Sequence, residues 1–189
     1  QARRPEDQHV VERLATLLRG LDEDRHLLAD RLLADIAQVL DDRFWDAEAG
    51  LFRDEFTRDW QPFSTYRGMN ANMHMSEALL AAFEATGDRS FLARARGIFD
   101  FFVGEMGRRY GWRLPEHFDG RWQVDPSYGG NPMFRPAGST PGHSFEFARL
   151  ILQLHARAPD DALRSWATSL YERALADGWD EARGGLVYT

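Results

Sequence analysis

Cysteine and lysine are both absent from the 189 residues, and all 23 basic side chains are arginine. These absences remove a Schiff-base or pyridoxal lysine, a phosphate-loop lysine, a cysteine nucleophile and thiolate metal ligation. Any catalysis must rest on His, Asp, Glu, Ser, Thr, Tyr or Arg. Positive charge is scarce too: the formal net charge is −7 and the arginines are spread along the chain, so no nucleic-acid partner is expected. No apolar run approaches the roughly 18 residues that span a bilayer, so no membrane association is expected. The opening Gln1-Ala2-Arg3-Arg4-Pro5-Glu6 carries no hydrophobic signal region, which makes a cytoplasmic location the expectation. Neither Gly-x-Ser-x-Gly nor a glycine-rich phosphate loop after a strand occurs.

What is present reads as one helical domain. A hydrophobic content of 43%, with 13% aromatics, is enough for a sizeable core. The spacing of apolar residues predicts helices over about 8–19, 24–41, 70–86, 88–106, 142–157 and 160–178. Leu28, Leu32, Ile36, Val39 and Leu40 share one face of the second, and the first two are expected to pack as a hairpin. Gly87 stops the third, Asp88 caps the fourth and Asp160 caps the sixth. Phe91, Leu92, Ala95, Ile98, Phe99, Phe102, Val103 and Met106 keep helical spacing through the fourth.

Between the pairs, 44–69, 110–140 and 178–189 read as short β-hairpins or extended loops. Trp45-Asp46-Ala47-Glu48-Ala49-Gly50-Leu51-Phe52 returns as Trp179-Asp180-Glu181-Ala182-Arg183-Gly184-Gly185-Leu186-Val187-Tyr188, a pattern of Trp-Asp, turn and Gly-Leu in which the second copy is one residue longer before its Gly-Leu. Recurrence at helix-pair intervals points to a toroid or superhelix of repeated helical hairpins. The strand-like Leu186-Val187-Tyr188-Thr189 lacks a mate, so the fold is expected to continue beyond residue 189 as one domain of which 1–189 is a part.

Two runs carry groups that core packing does not require. In Arg67-Gly68-Met69-Asn70-Ala71-Asn72-Met73-His74-Met75, Asn70, His74 and Glu77 share one helical stripe, while Met75, Ala78, Leu79, Ala82 and Phe83 share another. In Thr140-Pro141-Gly142-His143-Ser144-Phe145-Glu146-Phe147, Thr140 is a good N-cap and Pro141 stands at the first helical position. His143 then lies in the first turn, where the helix dipole disfavours its charge and Glu146 favours it. Such a histidine can exchange protons near neutrality, or it can simply bond a loop carbonyl. His74 has the alternative of a polar residue satisfied by Asn70 and Glu77. Arg135, in the loop leading to His143, suits a substrate hydroxyl, carboxylate or sulfonate. Tyr66, Arg67, Trp112, Trp122 and Tyr128 suit a sugar ring or fill the loops, and His117 is open to either reading. The spacing of His74, Glu77, His143 and Glu146 matches no familiar metal motif, so no metal is expected.

In order along the chain, Phe44-Trp45-Asp46, Arg67 to His74, Glu116-His117-Phe118-Asp119, Phe134-Arg135-Pro136, Thr140-Pro141-Gly142-His143 and Trp179-Asp180 resemble the N-acylglucosamine 2-epimerase superfamily, in its mannose isomerase branch. The resemblance implies an all-α (α/α)6 barrel, about half of it present here, and an isomerase or epimerase of a small free aldose. It implies metal-independent proton transfer through a cis-enediolate, with two histidines as acid and base and no cofactor. His143 matches one of these histidines and Glu146 the carboxylate beside it. Asn70 and His74 match groups that hold the sugar near its carbonyl end, and Arg135 matches a substrate-contacting arginine. The second catalytic histidine is expected outside these residues, which are therefore expected to be inactive alone. Phe147 and Ala137 depart from the larger aromatics common in the family, which bears on substrate preference. A small sugar is the implied partner, and assembly with further copies of the chain stays open. Two other readings stand beside this one: a glycoside hydrolase or lyase using carboxylates among Glu77, Glu116, Asp119 and Asp125, and a noncatalytic half-barrel that binds a partner.

Overall fold

The computed structural model describes residues 27, 31–130, 133 and 135–188, and divides the chain into two units, Gln1–Asp42 and Arg43–Thr189. In the first, 31–39 form helix α1, and Leu32, Ile36 and Val39 on it are exposed. A π-helical turn, Leu40–Phe44, follows. The helix expected over 8–19 and the start of that expected over 24–41, including Leu28, lie outside the described residues.

The second unit holds four further α-helices, α2 (Met69–Thr86), α3 (Arg89–Phe99), α4 (Pro141–Arg157) and α5 (Asp161–Gly178). Six two-residue strands accompany them: β1 (Trp45–Asp46), β2 (Leu51–Phe52) and β3 (Arg67–Gly68) before α2, β4 (His117–Phe118) before α4, and β5 (Trp179–Asp180) and β6 (Gly185–Leu186) after α5. Helix α2 packs on α3 and α4 on α5, the hairpin pairs that the periodicity predicts. No described helix is long and apolar enough to cross a membrane.

The helix ends follow local chemistry. Gly87 adopts φ 74°, free of the Cβ clash that other residues meet there, and its N–H bonds the Phe83 carbonyl. Asp88 accepts the Ser90 N–H at 2.8 Å and Asp160 the Ala162 N–H at 2.8 Å. The chain continues past Phe99 as a π-helical stretch, Asp100–Gly107, and Ile98, Phe99, Phe102, Val103 and Met106 all remain in the core. Thr140 departs from expectation: it occupies the N-cap of α4, but its hydroxyl makes no capping bond.

The Trp-Asp repeat is structural. Trp45 pairs Phe52 and Asp46 pairs Leu51; Trp179 pairs Leu186 and Asp180 pairs Gly185. Both turns place a glycine at positive φ, Gly50 at 69° and Gly184 at 68°, and each glycine donates to the carbonyl of its Asp at 2.8 Å. The turns are thus equal in length. The extra residue of the second copy is Gly185, which takes the strand position of Leu51.

A second recurrence emerges only in three dimensions. Thr57 and Gln61 close one turn through an N–H to carbonyl bond of 2.8 Å, and Asp119 and Gln123 close another at 2.9 Å. Trp60 and Trp122 fill the left-handed position of these turns with φ 60° and 61°. A bulky residue there costs about 1–3 kcal/mol. Aromatic packing offsets that cost: Trp60 lies 6.1 Å from Phe44, and Trp122 packs against Phe101, Phe102 and Phe118 at 6.1 to 6.3 Å. Phe99, Phe102, Phe118 and Phe147 continue this cluster, tying α3, the π-helical stretch, β4 and α4 together. Phe147 is therefore a core residue with 0% exposure.

Two expectations are corrected here. Strands β3 and β4 come from different connecting segments, yet they pair with each other, Arg67 with Phe118 and Gly68 with His117. On α2 the buried stripe is Met69, Asn72, Met73, Ser76, Leu79, Leu80 and Ala82, while Ala78 is exposed. Asn72 explains the shift: it is fully buried, its Oδ1 accepts the Phe52 N–H at 2.8 Å, and its Nδ2 donates to the carbonyls of Phe52 at 2.9 Å and Gly68 at 3.2 Å. One amide thus completes the backbone bonding of β2 from the helix beside it. Asn72→Ala should cost about 2–4 kcal/mol by leaving buried groups of Phe52 unpaired, whereas Asn70→Ala should stay within about 0.5 kcal/mol. Denaturant unfolding of the two variants checks this, and equal costs would contradict the clamp.

Candidate active site

The β3–β4 pairing places the candidate groups. Just before β4, the Glu116 carbonyl accepts the Met69 N–H at 3.0 Å, carrying the ladder into the first residue of α2. Gly68 donates its N–H to Asp54 Oδ2 at 2.7 Å. A Cβ on Gly68 would come within 2.5 Å of Asp54 Oδ1 and 2.8 Å of the Tyr66 hydroxyl, so only glycine allows this approach.

Glu116 is only 5% exposed, and its carboxylate turns toward α4. Oε1 accepts the Thr140 N–H at 3.1 Å, and both oxygens stand 3.0 Å from His143 Nδ1. A carboxylate accepts and does not donate, so Nδ1 carries the hydrogen and Nε2 of neutral His143 keeps its lone pair. Burial works against charge on this imidazole. The hydrogen bond and negative charge of Glu116 outweigh it, Glu146 adds to them, and the pKa rises above the ordinary value. Glu116, which the sequence suggested only as a hydrolase carboxylate, is thus the nearer of the two partners of His143.

His117 holds the next segment. Its Nε2 lies 2.7 Å from the Pro136 carbonyl, which can only accept, so Nε2 is protonated and Nδ1 accepts from the Tyr66 hydroxyl at 3.0 Å. The Tyr128 ring stacks on His117 at 4.0 Å between centroids. Burial and the negative charge of Asp54 push the Tyr66 phenol well above its usual range, which keeps it a donor. Asp54 itself is pushed up to about 6 by burial, against the Gly68 N–H and Arg135.

Arg135 sits over the Tyr66 ring at 4.4 Å and pairs with Glu55 at 3.2 Å. The Ser64 hydroxyl donates to the other Glu55 oxygen at 3.0 Å. Burial opposes its charge, but hydrogen bonding to Tyr128 and Glu55 raises its pKa further. Consecutive residues Glu116 and His117 therefore fix both ends of the loop that runs from Arg135 to His143.

Asn70 and His74 are exposed on α2, where the reading of His74 as a polar group satisfied by Asn70 and Glu77 would have it covered. His74 Nδ1 lies 3.7 Å from Glu77, which pairs with Arg149 of α4 at 2.7 Å. Among the described residues, no hydrogen bond or ion pair joins Asn70 or His74 to His143, Glu146 or Arg135. No cluster of three His, Asp or Glu suited to a metal occurs among them either. A cleft of about 350 Å³ opens beside Glu116, His117, Tyr128 and the exposed Ala137, but neither His143 nor Arg135 lines it. Sequence reasoning missed Asp54 and Glu55, which have no recurring spacing. Glu116-His117 did carry a signal, two polar residues set against the apolar Phe118 with turn residues beyond.

The helical-hairpin fold is of the (α/α)6 type, and it sets a histidine–carboxylate pair at a helix N-terminus. The profile of the N-acylglucosamine 2-epimerase (GlcNAc 2-epimerase) family matches residues 14–189, and the chain belongs to that family. It is 43% identical over 169 residues to a D-mannose isomerase of Thermobifida fusca, covering 85% of this chain and 41% of that protein. A D-mannose isomerase of Pseudomonas cannabina pv. alisalensis is 42% identical over 171 residues, covering 85% and 41%. A crystal structure of D-mannose isomerase superposes with a TM-score of 0.76 at 38% identity, covering 80% of this chain and 40% of that one. The chain thus spans about two fifths of the length of these relatives.

Glu116→Gln should lower the His143 pKa, since burial remains and the countercharge is gone. A raised folded-state pKa gives stability that is full below about pH 6.5 and lost as pH rises through the folded value. That dependence should disappear in the variant. Imidazole NMR titration and melting between about pH 5 and 8 check both effects, and an unmoved His143 titration would contradict the assignment.

Proposed function

We propose that the protein to which this chain belongs is an isomerase or epimerase of a small free aldose of the mannose type, working by proton transfer through a cis-enediolate. The observation that carries this reading is the His143–Glu116 pair. With Nδ1 held by the carboxylate, Nε2 is the nitrogen free to take a proton, and Glu116 steadies the imidazolium that results. The family and the D-mannose isomerase relatives support the choice of substrate class.

In this mechanism His143 removes the proton from C2 of the open-chain sugar. The electron pair moves into the C1–C2 bond, and the carbonyl oxygen gains negative charge that hydrogen-bond donors must stabilise. Return of the proton to C1, with the O2 hydroxyl proton passing to O1, gives the ketose; return of the proton to C2 from the opposite face gives the epimer. Arg135 contacts sugar hydroxyls, Asn70 and His74 hold the carbonyl end, and Glu146 supports the charge on His143. A second acid–base group, a histidine outside these residues, completes proton delivery.

The carboxylates of the hydrolase reading are otherwise engaged. Glu116 is bonded to His143 and Thr140, and Asp125 holds the Ser127 N–H and hydroxyl. Arg149 holds Glu77 below the ordinary carboxylate range, and the backbone N–H groups of Gln123 and Arg121 do the same for Asp119. A glycosidic general acid needs a raised value.

Incubation of the intact protein with D-mannose in heavy water tests the proposal by proton NMR. Loss of the C2 proton signal or appearance of fructose is expected, and His143→Ala should reduce the rate by about 10²–10⁴-fold. An unchanged spectrum across several aldoses, or full activity in the variant, would sink it.

A further inference from the structure

We propose that Glu55 is a specificity-determining residue: by pairing with Arg135 it balances that guanidinium and restricts the sugar site to uncharged substrates. The inference rests on the reading that Arg135 contacts the sugar. An arginine that recognises phosphate, sulfonate or carboxylate on a ligand offers both its charge and its paired N–H donors to that group. Here Nη2 already lies 3.2 Å from Glu55 Oε2, and the Tyr66 ring lies under the guanidinium at 4.4 Å. The Ser64 hydroxyl holds the other Glu55 oxygen at 3.0 Å, so the carboxylate cannot swing away without losing a bond.

The surroundings offer little compensation. Asp54 adds negative charge beside Arg135, and Glu116 and Glu146 do so around His143. The neighbouring arginine, Arg67, donates to the Tyr66 carbonyl at 2.8 Å and lies 6.0 Å from the Trp122 ring. An anionic sugar at Arg135 would meet a guanidinium already balanced by Glu55, with Asp54 beside it. A neutral polyol meets hydrogen-bond donors on the 37% exposed Arg135 side chain without a repulsive field.

Imidazole NMR titrations of the intact protein with D-mannose, D-mannuronate and inorganic sulfate test this. Glu55 is partly exposed and glutamine has its shape, so the fold should be kept in Glu55→Gln. The wild type should bind D-mannose more tightly than D-mannuronate, and Glu55→Gln should shift that ratio about tenfold toward D-mannuronate. Glu55→Asp keeps the charge and should keep the wild-type ratio. An unchanged ratio in Glu55→Gln, or a wild type that prefers D-mannuronate, overturns the assignment. If the wild type binds neither sugar, the sugar reading itself fails and sulfate decides the rest. Tighter sulfate binding by Glu55→Gln than by the wild type then retains Glu55 as the balancing residue, and equal binding removes it.

Discussion

The antiparallel contact between Arg67–Gly68 and His117–Phe118 is two residues long, yet it fixes almost every group in the candidate site. It puts Phe118 into the aromatic cluster, sets Gly68 at the start of α2 and delivers Glu116 and His117 side by side. From there Glu116 reaches Thr140 and His143, and His117 reaches Tyr66 and Pro136. Such a short ladder has little strength of its own. The packing of Phe101, Phe102 and Trp122 around Phe118 braces it.

Electrostatically, the site sets opposing effects against each other. Burial would keep His143 neutral, and Glu116 is close enough to reverse that. Burial leaves Asp54 with a proton affinity near neutrality even though it accepts a backbone N–H. Arg135 keeps its charge because partners on several sides hold it. Because the 23 strongly basic side chains are all arginine, whose charge is permanent, changes of protonation fall to other groups, His143 and Asp54 among them.

Local chemistry made much of the fold legible from sequence. Caps such as Asp88 and Asp160, the stop at Gly87, Pro141 at the start of α4 and the Trp-Asp turns all act within a few residues. The histidine in the first turn of α4 was legible for the same reason. Contacts between distant segments were not. Two-residue strands have no periodicity to read, so the β3–β4 pairing and the Glu116–His143 bond left no local trace. Of two asparagines two positions apart, Asn70 is exposed and Asn72 is the buried clamp, a distinction set by Phe52 twenty residues earlier. Trp60 and Trp122 occupy positions where turn chemistry favours glycine, and only the surrounding aromatic rings account for them.

In the proposed mechanism Glu116 sets the tautomer of His143 and frees Nε2 for proton transfer. Nitrogen-15 NMR of the imidazole above its titration range tests this directly. A protonated Nδ1 and an unprotonated Nε2 are expected for His143. A neutral ring with the hydrogen on Nε2 would contradict it, because the nitrogen assigned as the base would then have no lone pair to offer.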